Sequence, residues 1–177
     1  MNSTNEKALS IEQRNALENA QQLYLSALPK LDTNARKEGL DMLIEAFNIL
    51  SEFVDEVDDI YYRVVFANVV QDMQDTGEFD ISEDCEHTKI DIYLQTLKWF
   101  QSAESYQVGY RAFLWSVFNK LGGIFLKGEE LLHQNAGLAR LCFLNNKILE
   151  HPLADIFLDY FIQNEDGEWI FTGKRPD

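Results

Sequence analysis

Cysteine, proline and glycine are all scarce in this sequence, with two, three and nine among 177 residues. Two cysteines, Cys85 and Cys142, fall far short of the disulfide framework of a small secreted domain, and a reducing, cytoplasmic setting is expected instead. So little proline and glycine excludes a succession of tight β-turns and favours long helices. Basic residues are also few, 15 against 30 acidic ones, giving a net charge of -15 and a pI near 4.5. Phosphate backbones and anionic bilayers both demand positive surface, so neither nucleic acid nor a membrane surface is an expected partner. No apolar run reaches the length of about 18 residues needed to cross a bilayer, and the polar residues 1–7 do not open a signal segment. There is no Gly-x-Ser-x-Gly elbow, no glycine-rich phosphate loop and no His-Glu-x-x-His helix, and histidine is confined to positions 87, 133 and 151. Without these motifs an enzyme is not the expectation.

What the chain does have is material for a core. Hydrophobic residues make up 46% and aromatics 12%, enough for a packed globule without metal or disulfide. A single helical domain over 1–177 is expected, with 1–8 and 172–177 flexible. Ser10 and Gln13 form a capping box ahead of a helix reaching about Leu28, where Pro29 stops it; Leu17, Ala20, Tyr24 and Ala27 make its apolar stripe. Asp32 or Thr33 is placed to cap a second helix bearing Leu40, Leu43, Ile44, Phe47, Leu50 and Val54. Residues 60–70 are rich in β-branched and aromatic side chains and fit helix or strand, with helix preferred. Beyond a loop at 75–80, Ile90, Tyr93, Leu94, Leu97 and Phe100 mark another helix. The next stripe runs Tyr106, Tyr110, Phe113, Leu114, Val117, Phe118 and Leu121, with Gly122-Gly123 as its stop. Helices are expected over 124–133 and 138–149, then a last one opened by Pro152 and carrying Leu153, Ile156, Phe157, Tyr160 and Phe161. A turn at 164–167 precedes Trp169, Ile170 and Phe171, a short extended segment. The fold class expected is all-α, an irregular bundle or array of about seven helices with a short extended C-terminal segment.

Charge is unevenly spread. Between Glu52 and Glu86 stand Glu52, Asp55, Glu56, Asp58, Asp59, Asp72, Asp75, Glu78, Asp80, Glu83, Asp84 and Glu86, with Arg63 the only base, so this stretch holds -11 of the total. Within it, Asp72, Gln74, Thr76, Glu78, Asp80 and Glu83, spaced around Gly77, resemble the twelve-residue calcium loop of EF-hand proteins. That resemblance implies a Ca²⁺ site at 72–83 and a calcium-binding helical regulator. Against it, Gln74 and Thr76 replace the usual stronger oxygen ligands, and Asn68, Gln71, Asp84 and His87 are polar where flanking helices are apolar; a solvated acidic loop is the plainer reading. Glu130-x-x-His133 and Asp84-x-x-His87 have the spacing found in di-iron bundles, although 30 acids make such spacings easy to meet. Cys85, His87, His133, Cys142 and His151 contain no close ligand pair of the kind zinc sites use.

The carboxylate-rich stretch leaves two kinds of function in view, because like charges concentrated on rigid helices repel unless a cationic surface neutralises them. One is a protein-binding inhibitor or immunity protein that neutralises a basic partner such as a toxin or nuclease. The other is a DNA mimic that sets carboxylates where phosphates would sit on a nucleic-acid-binding enzyme. Abundant aromatics supply hot-spot material beyond charge and favour the first.

Overall fold

The computed structural model describes residues 8–102, 111–129 and 132–173, with backbone alone for 99–102. Among them seven α-helices and one two-stranded antiparallel sheet are found, and the chain is mostly helical, as its composition predicts. Tyr106, Tyr110 and Glu130 lie outside the described residues, as do most of the ends expected to be flexible. The chain divides into two compact units, Met1–Lys98 and Trp99–Asp177. None of the helices described is long and apolar enough to cross a membrane.

In the first unit, α1 (Ile11–Ala27) starts at the reciprocal cap read from the sequence. Ser10 Oγ accepts the Gln13 N–H at 3.1 Å while Gln13 Oε1 accepts the Ser10 N–H at 2.9 Å. Pro29 then tightens the chain into a single 3-10 turn, Leu28–Lys30. Helix α2 (Arg36–Ser51) begins later than the sequence suggests, with Ala35 at its N-cap and no side-chain capping bond. Thr33 instead closes the preceding turn, donating to the Lys30 carbonyl and accepting the Ala35 N–H. Close approach of α2 to the end of α1 depends on Gly39, where a Cβ would sit 3.0 Å from the Ala27 carbonyl oxygen.

Helix α3 (Ile60–Thr76) settles the ambiguity at 60–70 in favour of helix. Asp59 caps it, its Oδ1 accepting the Tyr62 N–H at 2.7 Å. Residues 64–71 are all buried, so α3 shows no amphipathic period; that is why its sequence reads equally well as strand. Its end is set by Gly77, whose left-handed φ of 70° turns the chain out of the helix. Helix α4 (Glu83–Ser102) buries Ile90, Ile92, Tyr93 and Thr96 but leaves Leu94 exposed, so the buried face is rotated from the expected stripe. The rotation has a polar cause. Tyr93 Oη donates to Asn68 Oδ1 at 2.9 Å, and the fully buried Lys89 donates to Gln71 Oε1 at 2.8 Å and to Gln74 Oε1. A polar ladder therefore runs between α3 and α4, each rung satisfying a group that burial would otherwise penalise.

In the second unit, α5 (Arg111–Lys127) runs straight through Gly122-Gly123 rather than stopping there. Gly122 is a packing residue: a Cβ would lie 2.8 Å from Phe143 Cζ, so the tip of that ring comes against the helix where a side chain would stand. Gly128, with φ of 76°, supplies the real stop. Hence the helix expected at 124–133 does not exist as such; its start belongs to α5. Asn135 caps α6 (Ala136–Ile148) by accepting the Leu138 N–H at 2.9 Å. The last helix, α7 (Ala154–Leu158), is shorter than expected, and Phe161 belongs to β1 (Phe161–Gln163), paired with β2 (Trp169–Phe171) in the register Phe161 to Phe171. The core here is Ala139, Phe143 and Phe161, with Phe125, Phe157 and Trp169 packed around it. Phe143 stacks on Phe157 at 5.1 Å, and Arg140 lies 3.7 Å over the Trp169 ring.

Candidate functional site

The acidic stretch is divided by α3. Glu52, Asp55, Glu56, Asp58 and Asp59 precede that helix; Asp72, Asp75, Glu78, Asp80, Glu83, Asp84 and Glu86 stand in its last turns and beyond. The twelve acid-free helical residues from Ile60 to Gln71 set Asp59 and Asp72 about 20 Å apart. The twelve carboxylates thus form two poles, with no acid between them from Ile60 to Gln71.

The later pole is partly compensated from within. Arg36 lies 3.4 Å from the Glu78 carboxylate and also donates to the Thr76 carbonyl. Asp72 is turned inward and accepts the Tyr24 hydroxyl at 2.5 Å; burial, with the Asp72 charge beside it, holds that phenol well above its usual pKa. Gln71 donates to Asp75, and His87 lies 3.7 Å from Glu83. Residues 72–83 do not form a calcium loop. Asp72, Gln74 and Thr76 lie on α3, where residues two apart point to opposite sides of the helix rather than around one ion. Thr76 Oγ1 donates to the Met73 carbonyl, the Lys89 ammonium takes Gln74, and Glu78 goes to Arg36. Among the described residues no group of three or more His, Cys, Asp or Glu side chains could hold a metal. The expected outcome is that millimolar Ca²⁺ added to chelator-treated protein leaves the melting temperature unchanged, since an ion that binds no native site confers no stability. The zinc and di-iron spacings fare no better: Cys142 is a buried thiol whose pKa is pushed up to about 12 by desolvation, and Asp84 and His87 are exposed near the start of α4.

The earlier pole is different. Loop 52–59 is held by backbone bonds from the Glu56 and Val57 N–H groups to the Phe53 carbonyl, at 2.9 and 3.1 Å, and by Val54 and Val57, both buried. These anchors turn Glu52, Asp55, Glu56 and Asp58 outward, and all four are exposed. None of the four meets a cation among the described residues. Their field is felt nearby: the Tyr62 phenol is pushed up to about 12, first by burial and then by the Glu52 charge. Exposed Tyr61 adjoins the loop on the first turn of α3 and accepts a bond from Gln21. Asp59 faces its own helix as cap and is structural. Glu56, Val57 and Asp58 also border a cleft of about 290 Å³ with Ser10 and Gln13 at the start of α1.

Sequence reasoning passed over a second polar site. Trp115, Ser116, Asn119 and Lys120, spaced one helical turn apart on α5, line a groove completed by Ala112 and by His151 beyond α6. The signal was present: three polar residues interrupt the apolar stripe of α5 at helical spacing. No protein-family model, curated protein or solved structure matches the chain.

Proposed function

We propose that the chain is a small acidic protein-binding protein that docks a basic partner on loop 52–59. The class that fits best is a cytoplasmic inhibitor or immunity protein covering the cationic site of a toxin or nuclease. The supporting observation is the set of four exposed, uncompensated carboxylates, Glu52, Asp55, Glu56 and Asp58, on a loop pinned by two buried valines. Held so close, these charges repel in the free protein, and a positive surface relieves that repulsion while steering encounter. Tyr61 supplies an aromatic contact at the edge of the field, the residue type that most often carries interface energy. The later pole, partly neutralised by Arg36 and with Asp72 turned inward to the Tyr24 hydroxyl, contributes long-range field rather than direct contact.

The test uses the immobilised full chain beside a variant with Glu52→Gln, Asp55→Asn, Glu56→Gln and Asp58→Asn. Asp59 is left intact because removing a cap costs stability of about 1 kcal/mol on its own. A basic protein held by the wild type, lost from the variant and released by raised salt is the expected result. Equal retention by both chains would refute the reading. Displacement of the bound partner by a DNA duplex would identify that partner as a nucleic-acid-binding enzyme.

A further inference from the structure

Given that loop 52–59 docks a basic partner, the cleft at its edge decides which side chain leads. At about 290 Å³ it lies just below the range of small-molecule sites, about 300–1,000 Å³, and suits one long side chain better than a whole ligand. One wall is the carboxylate loop, with Glu56 and Asp58 exposed on either side of buried Val57. The other is the start of α1, where Leu9 precedes the Ser10 cap. Both walls are set by local bonds. The Glu56 and Val57 N–H groups hold the first through the Phe53 carbonyl, and the reciprocal bonds between Ser10 and Gln13 hold the second. A preformed cleft spends little binding energy on ordering itself.

The bonding of each wall fixes the chemistry of the occupant. On the α1 side the side-chain acceptors are engaged, Ser10 Oγ by the Gln13 N–H and Gln13 Oε1 by the Ser10 N–H. On the loop side neither carboxylate has a hydrogen bond or ion pair among the described residues, and no base lines the cleft. Ala8, Leu9 and Val57 add apolar surface between the polar groups. An apolar stem with a cationic, multi-donor head matches this arrangement. A guanidinium carries five N–H donors in a rigid fork and can bridge two carboxylates, whereas an ammonium has three around a point charge. Arginine is also among the residues that most often anchor interfaces.

We propose that this cleft is a socket for one arginine side chain of the basic partner, its guanidinium bridging Glu56 and Asp58 and its methylenes lying on Leu9 and Val57. The test titrates the full chain with Nα-acetyl-arginine amide and follows the backbone amide resonances of Leu9, Glu56 and Asp58. Saturable shifts are expected, at the weak affinity so small a ligand allows. The citrulline analogue, alike in shape but uncharged, binds about tenfold or more weakly, and the lysine analogue also binds less tightly than arginine. Two pairs of substitutions separate the socket from the general field of the loop. Glu56→Gln with Asp58→Asn weakens the arginine compound about tenfold, whereas Glu52→Gln with Asp55→Asn removes the same charge and weakens it about threefold or less. Ala8→Trp, which fills the cleft and leaves every carboxylate in place, abolishes binding. Shifts that never saturate, equal effects of the two pairs, equal binding of arginine and citrulline, or undiminished binding after Ala8→Trp would each overturn the socket while leaving loop 52–59 as a docking surface. Arginine bound in the cleft of a chain that holds no salt-released basic partner would refute the docking reading and not the socket.

Discussion

Phe143→Ala destabilises the protein by about 3–5 kcal/mol, the cost of removing a buried aromatic ring from a close-packed core. The ring stacks on Phe157, meets Phe161 at 5.9 Å and lies against Gly122 without an intervening Cβ. Backbone fixes one side of the resulting cavity, because α5 cannot collapse inward at Gly122 without bending. Urea unfolding followed by far-UV circular dichroism measures the loss. A change under about 1 kcal/mol would mean that the site repacks and that Phe143 is not the centre of the second unit.

Lys89→Ala is the second large effect, again about 3–5 kcal/mol. The side chain is fully buried, and its ammonium holds the side-chain oxygens of Gln71 and Gln74 on α3. Truncation leaves a void and strands buried acceptors together. Lys89→Met separates the two contributions, since it keeps the volume and removes the donor; about 1–3 kcal/mol is then lost to unsatisfied amides alone. Equal losses for both variants would assign the whole effect to hydrogen bonding, and no loss for Met would show that the lysine's desolvation cancels what its bonds contribute.

The same two residues mark where the sequence was legible and where it was not. Helices with one apolar face were readable: α1 and α2 follow a 3.6-residue stripe, and the Ser10 cap is a local pattern. Even α3, ambiguous by residue type, was assigned correctly to helix. Lys89 was invisible, because a lysine between Thr88 and Ile90 on a predicted helix reads as solvated, and the amides of Gln71 and Gln74 on α3 that accept from it lie fifteen or more residues away. Gly122 misled for the converse reason. A glycine pair signals a helix end locally, yet here α5 continues and Gly122 makes room for the tip of the Phe143 ring, a contact remote in sequence. Phe161 joined a strand rather than α7 because its partner Phe171 lies ten residues on, across a hairpin turn.

For the site, composition identified the carboxylates but not their division. Only a continuous α3 shows that Asp59 and Asp72 sit more than three helical turns apart, and only side-chain contacts show that Arg36 and Tyr24 attend to one group while the other stands uncompensated. The calcium spacing at 72–83 was a one-dimensional pattern that helix geometry dissolved. The His151 groove joins α5 to a residue more than thirty positions later, a juxtaposition that spacing arguments do not reach.

Association kinetics test the docking account most directly. Once a basic partner is in hand, its association rate is measured against ionic strength for three chains. These are the wild type, the loop variant lacking the charges of Glu52, Asp55, Glu56 and Asp58, and a variant with Asp75→Asn, Glu78→Gln, Asp80→Asn, Glu83→Gln and Asp84→Asn. The loop variant associates about tenfold or more slowly at low salt and loses most of its salt dependence, while the second slows less. Three chains with the same rate and the same salt slope would contradict it, leaving the charge at 52–59 as a solubilising surface.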